Sequence, residues 1–373
     1  MIVSLLISDD VRMIRESAGK LFADLESIKT LRRNRAEHDL TAAARGAWAE
    51  MTELGLPGIL LPETAGGAGL GMVASVQVCE MMGRSLTTGP FLSTAVMGAL
   101  ALRESGNAVQ ANDVLAKLAA GSLCVAIAVD ETSRHNPEAI ATQASLADGR
   151  ATLSGRKVNV IDGNIADRLI VAARDTAGAL GLFLVDAHDA TVAAQTTMGL
   201  DSQPYVTITF NNSSADILCQ GADATALLTR ILDAGRLHLA AEMLGAAQEA
   251  FDRTVDYLKT RVQFGRVIGE FQALQHRAAL LFGDLEISRS IVAKAAWAWD
   301  EMPAEAPRLT AMAKAKLSTT ARHVTAEAVQ LHGGIGVTDE FDIGLYLKRA
   351  QRAASLLGDS AFCLERYATL RGL

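Results

Sequence analysis

Aromatic residues are scarce in this sequence, at 5% of 373 residues, while Ala, Leu and Gly are abundant. That mix favours a helix-rich protein whose helices pack closely. Cysteine is also scarce: Cys79, Cys124, Cys219 and Cys363 form no CxxC pair. Their spacing indicates neither a zinc site nor a disulfide framework, so the thiols are expected to be reduced and the protein cytoplasmic. No block of five or more like charges occurs and the net charge is −7, so nucleic acid is not an indicated partner. No apolar run reaches the length needed to span a bilayer, and the start "MIVSLLISDD" lacks the basic flank and cleavage site of a signal peptide.

What is present divides into three regions by hydrophobic period. Residues 1–121 read as a helical domain. In "SDDVRMIRESAGKLFADL", Ser8, Asp9 and Asp10 are cap candidates, and Val11, Ile14, Ala18 and Leu21/Phe22 fall on one face. Further helices are predicted in "LTAAARGAWAEMTELGL", "MVASVQVCEMMGRSL", "TAVMGALALRESG" and "ANDVLAKLAAG". Residues 122–222 read as a β domain: "SLCVAIAVDE", "DRLIVAAR", "GLFLVDA" and "YVTITFNN" are strand-like, and Asp148-Gly149 marks a hairpin. Residues 223–373 return to long helices, including an apolar stripe through Leu237, Leu244, Phe251 and Leu258. Pro307 suits a helix start and Gly333 a helix end. A C-terminal four-helix bundle is the simplest arrangement, and such bundles often associate further.

Three stretches could carry chemistry. "RVQFGRVIGEFQ" (261–272) offers Arg261, a permanently charged fork suited to phosphate, and Gln263 and Gln272 for a ribose or base edge. On spacing alone, Arg261 capping a helix C-terminus is the simpler reading. "QLHGGIGVTDEF" (330–341) has three glycines in four positions, so backbone N–H groups can approach an anion, though a glycine-rich helix stop has the same look. "PETAGGAGLG" lets backbone pass close to another surface or a ligand.

Taken together, these stretches resemble the acyl-CoA dehydrogenase family over nearly the whole chain. The resemblance is carried by "LGLPGILLPETAGGAGL" (54–70), "EMMGRSL" (80–86), "LSGRKVNVIDGNIADRLIVAAR" (153–174), "AAEMLGAAQEAFDRTVDYLKTRVQFGRVIGEFQALQHRAA" (240–279) and "QLHGGIGVTDEF" (330–341). It implies a mainly α fold with a central β domain: an N-terminal helical domain, a middle β-barrel or sandwich, and a C-terminal four-helix bundle. It also implies FAD as cofactor, an acyl-CoA substrate, an electron acceptor such as an electron-transfer flavoprotein, and a homotetramer or a mixed tetramer with a related chain. By similarity, Arg261, Phe264 and Gln272 would touch FAD held mainly by a neighbouring chain. Gln330, Gly333 and Gly334 would line its adenosine and pyrophosphate path. The implied reaction is α,β-dehydrogenation, in which a carboxylate takes the α proton and the β hydrogen leaves as hydride. Arg236 matches an arginine beside the active site.

The sequence departs from the family where that carboxylate belongs. Laid over the family pattern without gaps, the segment after the Gly-rich turn places Leu357, in "LLGDS", where many relatives carry the Glu base. The alternative position, just before the arginine, is Gly235. Asp359, Glu242 and Asp233 are the substitutes at hand. Each has a structural alternative: a helix cap for Asp359, an ion pair for Glu242, a first-turn acid for Asp233. The β domain departs as well, with "VDETSRHNPEA" (129–139) for a Thr-Glu-Pro motif and Asn159 and Ile161 for a flavin-side Trp and Thr. The expectation is therefore an acyl-CoA dehydrogenase with a displaced base, or a non-catalytic partner subunit of a mixed tetramer.

Overall fold

The computed structural model describes residues 8–37, 40–106 and 108–373, the side chains of residues 108–112 excepted. The chain divides into two compact units, one of residues up to Ile28 with Met72–Thr87 and Arg236–Leu373, the other of Lys29–Gly71 and Thr88–Gly235.

The element order is helical, β, helical. The helices before the strands are α1 (Asp9–Asp24), α2 (Ser27–Glu37), α3 (Ala42–Glu53), α4 (Gly71–Ser85), α5 (Ala99–Glu104) and α6 (Ala108–Ala119). The strands are β1 (Val125–Ala128), β2 (Gln143–Ala147), β3 (Arg150–Lys157), β4 (Arg168–Asp175), β5 (Leu180–Asp186), β6 (Val192–Met198) and β7 (Pro204–Gln220). They are followed by α7 (Gly221–Thr260), a short hairpin of β8 (Val262–Gln263) and β9 (Arg266–Val267), then α8 (Gln272–Glu301), α9 (Ala306–His332), α10 (Ile343–Ser355) and α11 (Ser360–Leu370).

In the second unit, β4, β2, β3, β7 and β5 pair in a closed ring, with β1 added in parallel to β4 and β6 added to β7. Asp148 and Gly149 both take positive φ, which gives the β2–β3 hairpin the backbone twist its two-residue turn requires. Leu153, Leu169, Val171, Phe183, Val206 and Phe210 fill the ring. The segment before β1 is tied to it by Thr94, whose hydroxyl donates to the Val125 carbonyl at 3.0 Å and accepts its N–H at 2.9 Å. The loop glycines of "PETAGGAGLG" serve this packing: a Cβ at Gly67 would lie 2.2 Å from the Leu61 carbonyl oxygen. The surface that this backbone passes is the chain's own.

In the first unit, α4 and α7 touch backbone to backbone. A Cβ on Gly83 would lie 2.0 Å from the Glu242 carbonyl oxygen, and one on Gly245 would lie 1.9 Å from that of Glu80. The α4 N-terminus is capped from the end of α8, where Asp300 accepts the N–H groups of Met72 and Val73 at 2.9 and 3.0 Å. Buried Glu80 on α4 binds Arg15 of α1 at 2.8 Å and Arg289 of α8 at 2.9 Å.

Among the elements not anticipated are α2, β6 and the β8–β9 hairpin. The exposed side chains of β6 alternate too weakly to signal a strand. The first bundle helix also begins earlier than its apolar stripe indicated. Asp233 and Arg236 lie well inside α7, so Asp233 is a buried interior residue rather than a first-turn acid. Every residue from Ile231 to Ala241 is buried, because the helix is covered on all sides rather than along one stripe. Among the described residues, no helix is long and apolar enough to cross a membrane.

Candidate active site

The turn "LLGDS" joins α10 to α11 and is gripped by two buried cations of the first unit. Arg236, on α7, is 2% exposed and donates from Nε to the Leu357 carbonyl at 2.7 Å. Lys314, on α9, is 0% exposed and donates from Nζ to the carbonyls of Gly358 at 2.9 Å and Ala354 at 3.1 Å, with Ser318 Oγ at 3.4 Å. Burial pushes the Lys314 amine down to about 8; Cys363 and Asp359 oppose that shift, and the charge on Arg236 adds to it. Leu357 is 7% exposed and has φ +55°, a left-handed backbone that a Leu adopts only at some cost. Gly358, at φ +105°, lies under the Phe362 ring, which a Cβ would meet at 2.4 Å. The Arg236 guanidinium sits 5.1 Å from that ring's centroid.

The two substitute acids in this unit are both engaged structurally. The Asp359 carboxylate caps α11, accepting the Phe362 N–H at 2.9 Å. Glu242 pairs with the buried Arg349 of α10 at 3.1 Å. Three residues from Glu242 along α7, the Gly245 contact with α4 fixes the register of the two helices. His238, also on α7 and fully buried, lies 2.8 Å by Nε2 from Ser75 Oγ on α4.

The cofactor candidates lie at another part of the same unit. Arg261 and Phe264 belong to the β8–β9 hairpin, where Phe264 (φ +53°) and Gly265 (φ +78°) make the tight turn. Phe264 is 92% exposed at the tip, its ring edge-on to Phe271 at 6.2 Å. Gln272 opens α8 and is exposed, as are Arg261, Gln330, Gly333 and Gly334. Tyr257, one turn before Arg261, stacks on His332 at 4.4 Å, and His332 directly precedes Gly333. That stack brings the ends of α7 and α9 together, and with them both sets of candidates. The His332 ring donates from Nδ1 to the Ala328 carbonyl at 2.7 Å, and burial pushes its pKa down, so it is the neutral tautomer that bridges the two ends. Gly333 needs its glycine for a positive φ, whereas a Cβ on Gly334 would meet nothing of this chain within 4 Å.

In the β domain, the residues that differ from the family pattern are held among themselves. Glu131 pairs with buried Lys157 at 2.7 Å and also takes the Thr142 N–H and hydroxyl, while the two Asp130 carboxylate oxygens lie 2.8 and 3.0 Å from His135 Nδ1. Asn159 and Asp162 both have positive φ in the turn after β3, and Asp162 accepts the Ser93 hydroxyl at 2.6 Å.

Lys314 and Phe362 were not singled out from the sequence. Lys314 sits in "AMAKAKL", where only the flanking buried Ala311, Ala313, Ala315 and Leu317 set it apart from an ordinary surface lysine.

Comparison with known proteins agrees with this architecture. Residues 8–122 match the family model "Acyl-CoA dehydrogenase, N-terminal domain", and residues 225–369 match "Acyl-CoA dehydrogenase, C-terminal domain". The chain is 31% identical over 359 residues to acyl-CoA dehydrogenase IpdE2 of Mycobacterium tuberculosis, covering 96% of each sequence. It is 28% identical to the mitochondrial 2-methylacyl-CoA dehydrogenase of Solanum tuberosum, covering 96% of this chain and 89% of that one. A variant of the steroid ACAD Tcur3481-Tcur3483 superposes with a TM-score of 0.87 at 30% identity, covering 98% of both chains. With its helical, β and helical regions in the family order, the chain belongs to the acyl-CoA dehydrogenase family.

Proposed function

We propose that the chain serves FAD-dependent α,β-dehydrogenation of an acyl-CoA thioester as a subunit that does not itself supply the α-proton base. The observation that carries this reading is the turn at 356–359. Its expected base position holds buried Leu357, while Asp359 is committed to capping α11 and Glu242 to Arg349. A general base is worth about 10² to 10⁴ in rate, so a site without one does little chemistry. A related chain bearing a carboxylate at the matching position would supply it in a mixed tetramer.

The exposed bundle end fits the adenosine and pyrophosphate part of FAD. It presents a permanently charged Arg261, an exposed aromatic tip at Phe264, and a glycine at 334 whose missing side chain faces open space. FAD, when bound, supplies the acceptor for the hydride from the β carbon. This chain's residues would bind and orient: Arg261 and Gln272 toward phosphate and sugar, the backbone of Gly333 and Gly334 along the diphosphate. Arg236 and Lys314 hold the turn that borders the reacting end. The electron acceptor this reading implies is a protein such as an electron-transfer flavoprotein.

The test is the visible spectrum of the purified chain, loaded with FAD and desalted, alone and with a related base-bearing chain. Weak flavin retention alone, with retention and acyl-CoA-dependent bleaching in the mixed assembly, is expected. Stoichiometric flavin and bleaching by the chain alone would sink the partner reading and return the base to one of its own acids.

A further inference from the structure

Where the ends of α7 and α9 meet, a buried imidazole ties two segments together. His332 is 3% exposed, and its Nδ1 faces the Ala328 carbonyl oxygen, which can only accept, at 2.7 Å. The proton is therefore on Nδ1, and Nε2 carries a lone pair. Among the described residues, buried Nε2 has no hydrogen-bond partner. Tyr257 stacks on the ring at 4.4 Å and Phe341 lies beside it at 4.8 Å. The Tyr257 and Phe341 centroids are 6.4 Å apart, so these rings flank the imidazole at a corner rather than sandwich it. Both arms of the candidate cofactor end hang on this cluster. The Tyr257 carbonyl accepts the Arg261 N–H at 2.9 Å, which fixes the start of the β8–β9 hairpin. Gly333 follows His332, and the turn it begins folds back over that residue: a Cβ on Gly336 would lie 2.5 Å from the Val329 carbonyl oxygen and 3.0 Å from the His332 Cβ.

We infer that His332 is a positioning residue, a clamp whose neutral ring holds the Arg261 hairpin and the Gly333–Gly334 turn in register and whose protonation releases them. Protonation puts an N–H on Nε2 where no acceptor meets it, a cost borne only while the cluster is closed. The π-face of Tyr257 attracts a cation but does not replace the missing acceptor. Burial accordingly pushes the imidazole pKa down from its ordinary 6.5, opposed only by the Ala328 hydrogen bond. The charged groups on the elements packed here are engaged elsewhere or exposed. Arg253 pairs with Asp342 at 3.5 Å, Asp256 with Lys259 at 3.6 Å and Glu327 with Arg277 at 2.6 Å, while Arg261, Asp339 and Glu340 are exposed. In an open form the imidazole reaches water and titrates near its ordinary value. The open form therefore binds the extra proton, and opening grows as pH falls below about 6.5. What the two arms bind rests on the reading above; the clamp itself can be tested without flavin.

The experiment compares the full chain at pH 7.5 and pH 5.5, without flavin, by hydrogen exchange corrected for intrinsic rates. In the wild type, opening read at the Arg261 amide and the last turn of α9 should rise several-fold, up to about tenfold, the limit for one imidazole over that interval. His332→Phe keeps a ring against Tyr257 but cannot titrate, so the rise at those amides should disappear. An equal rise in both proteins overturns the clamp. An NMR titration of the wild-type imidazole needs no variant: a pKa at or above the ordinary value also overturns it, and a lower one is expected. In the mixed assembly, the wild type should lose FAD on desalting about threefold or more faster at pH 5.5 than at pH 7.5, and His332→Phe should lose it equally at both. Gated exchange without pH-dependent flavin loss supports the clamp and counts against placing FAD at this end.

Discussion

Replacing Lys314 by Met should change how the stability of this protein depends on alkaline pH. In the folded chain the Lys314 amine is fully buried and its pKa lies near 8, against 10.5 for an exposed lysine. Between those values the unfolded chain holds the proton and the folded chain has released it. The unfolded state therefore binds more protons, and stability must rise with pH across the window. Integrating the two titrations from pH 7 to pH 9 gives a gain of about 1 kcal/mol from this one group. Lys157, also buried, has its pKa lowered to about 8 and contributes a similar rise. From about pH 8 the sign is opposed by the cysteines: burial raises Cys79 well above its ordinary value, Cys124 to about 12 and Cys219 to about 11, so the folded state keeps protons that the unfolded thiols lose. The informative interval is pH 7–9. Urea unfolding across it should show the Lys314→Met variant gaining less stability than the wild type, by about 1 kcal/mol. The variant would begin from a different baseline, because it leaves the Ala354 and Gly358 carbonyls without their donor while removing a buried charge. The slope separates these effects. A variant curve parallel to the wild-type curve would refute the assignment of a depressed, buried amine to position 314.

Other consequences follow from specific contacts. Gly245→Ala brings a methyl group to 1.9 Å from the Glu80 carbonyl, a backbone atom that cannot swing aside, so α4 and α7 must separate; a loss of about 3 kcal/mol or more is expected by urea titration. Asp300→Ala strips the α4 N-terminus of both hydrogen bonds to Met72 and Val73 and should lower stability by about 1–2 kcal/mol, with faster hydrogen exchange confined to the first turn of α4. If the chain contributes no base, Asp359→Asn and Glu242→Gln should each leave acyl-CoA-driven bleaching of a mixed assembly within about threefold, against the 10² or more expected for loss of a general base. Phe264→Ala should weaken flavin retention, read by desalting, without lowering the melting temperature, because a ring 92% exposed contributes little to the chain's own core.

The order helical, β, helical was legible because it is written in local periodicity. Alternating apolar residues and the Asp148-Gly149 turn mark the strands, and Pro307 and Gly333 bound α9 where the structure bounds it. What failed to show were elements whose residues carry little periodic contrast. β6 has a mostly exposed surface, and the first turns of α7 precede the stripe that signals it. The site was legible only in part. Arg236, Leu357 and Asp359 stand out by resemblance, but that Asp359 is occupied as a cap and Glu242 by Arg349 depends on contacts between helices far apart in the chain.

The sequence by itself determined the class of each segment and the leucine at 357, since side-chain identity and local pattern need no partner to be read. Only the tertiary structure decided what surrounds that leucine. A lysine among alanines reads the same whether it faces water or a turn forty residues away. Burial and the direction of its hydrogen bonds are set by the packing of α7, α9 and α10, which no local pattern contains.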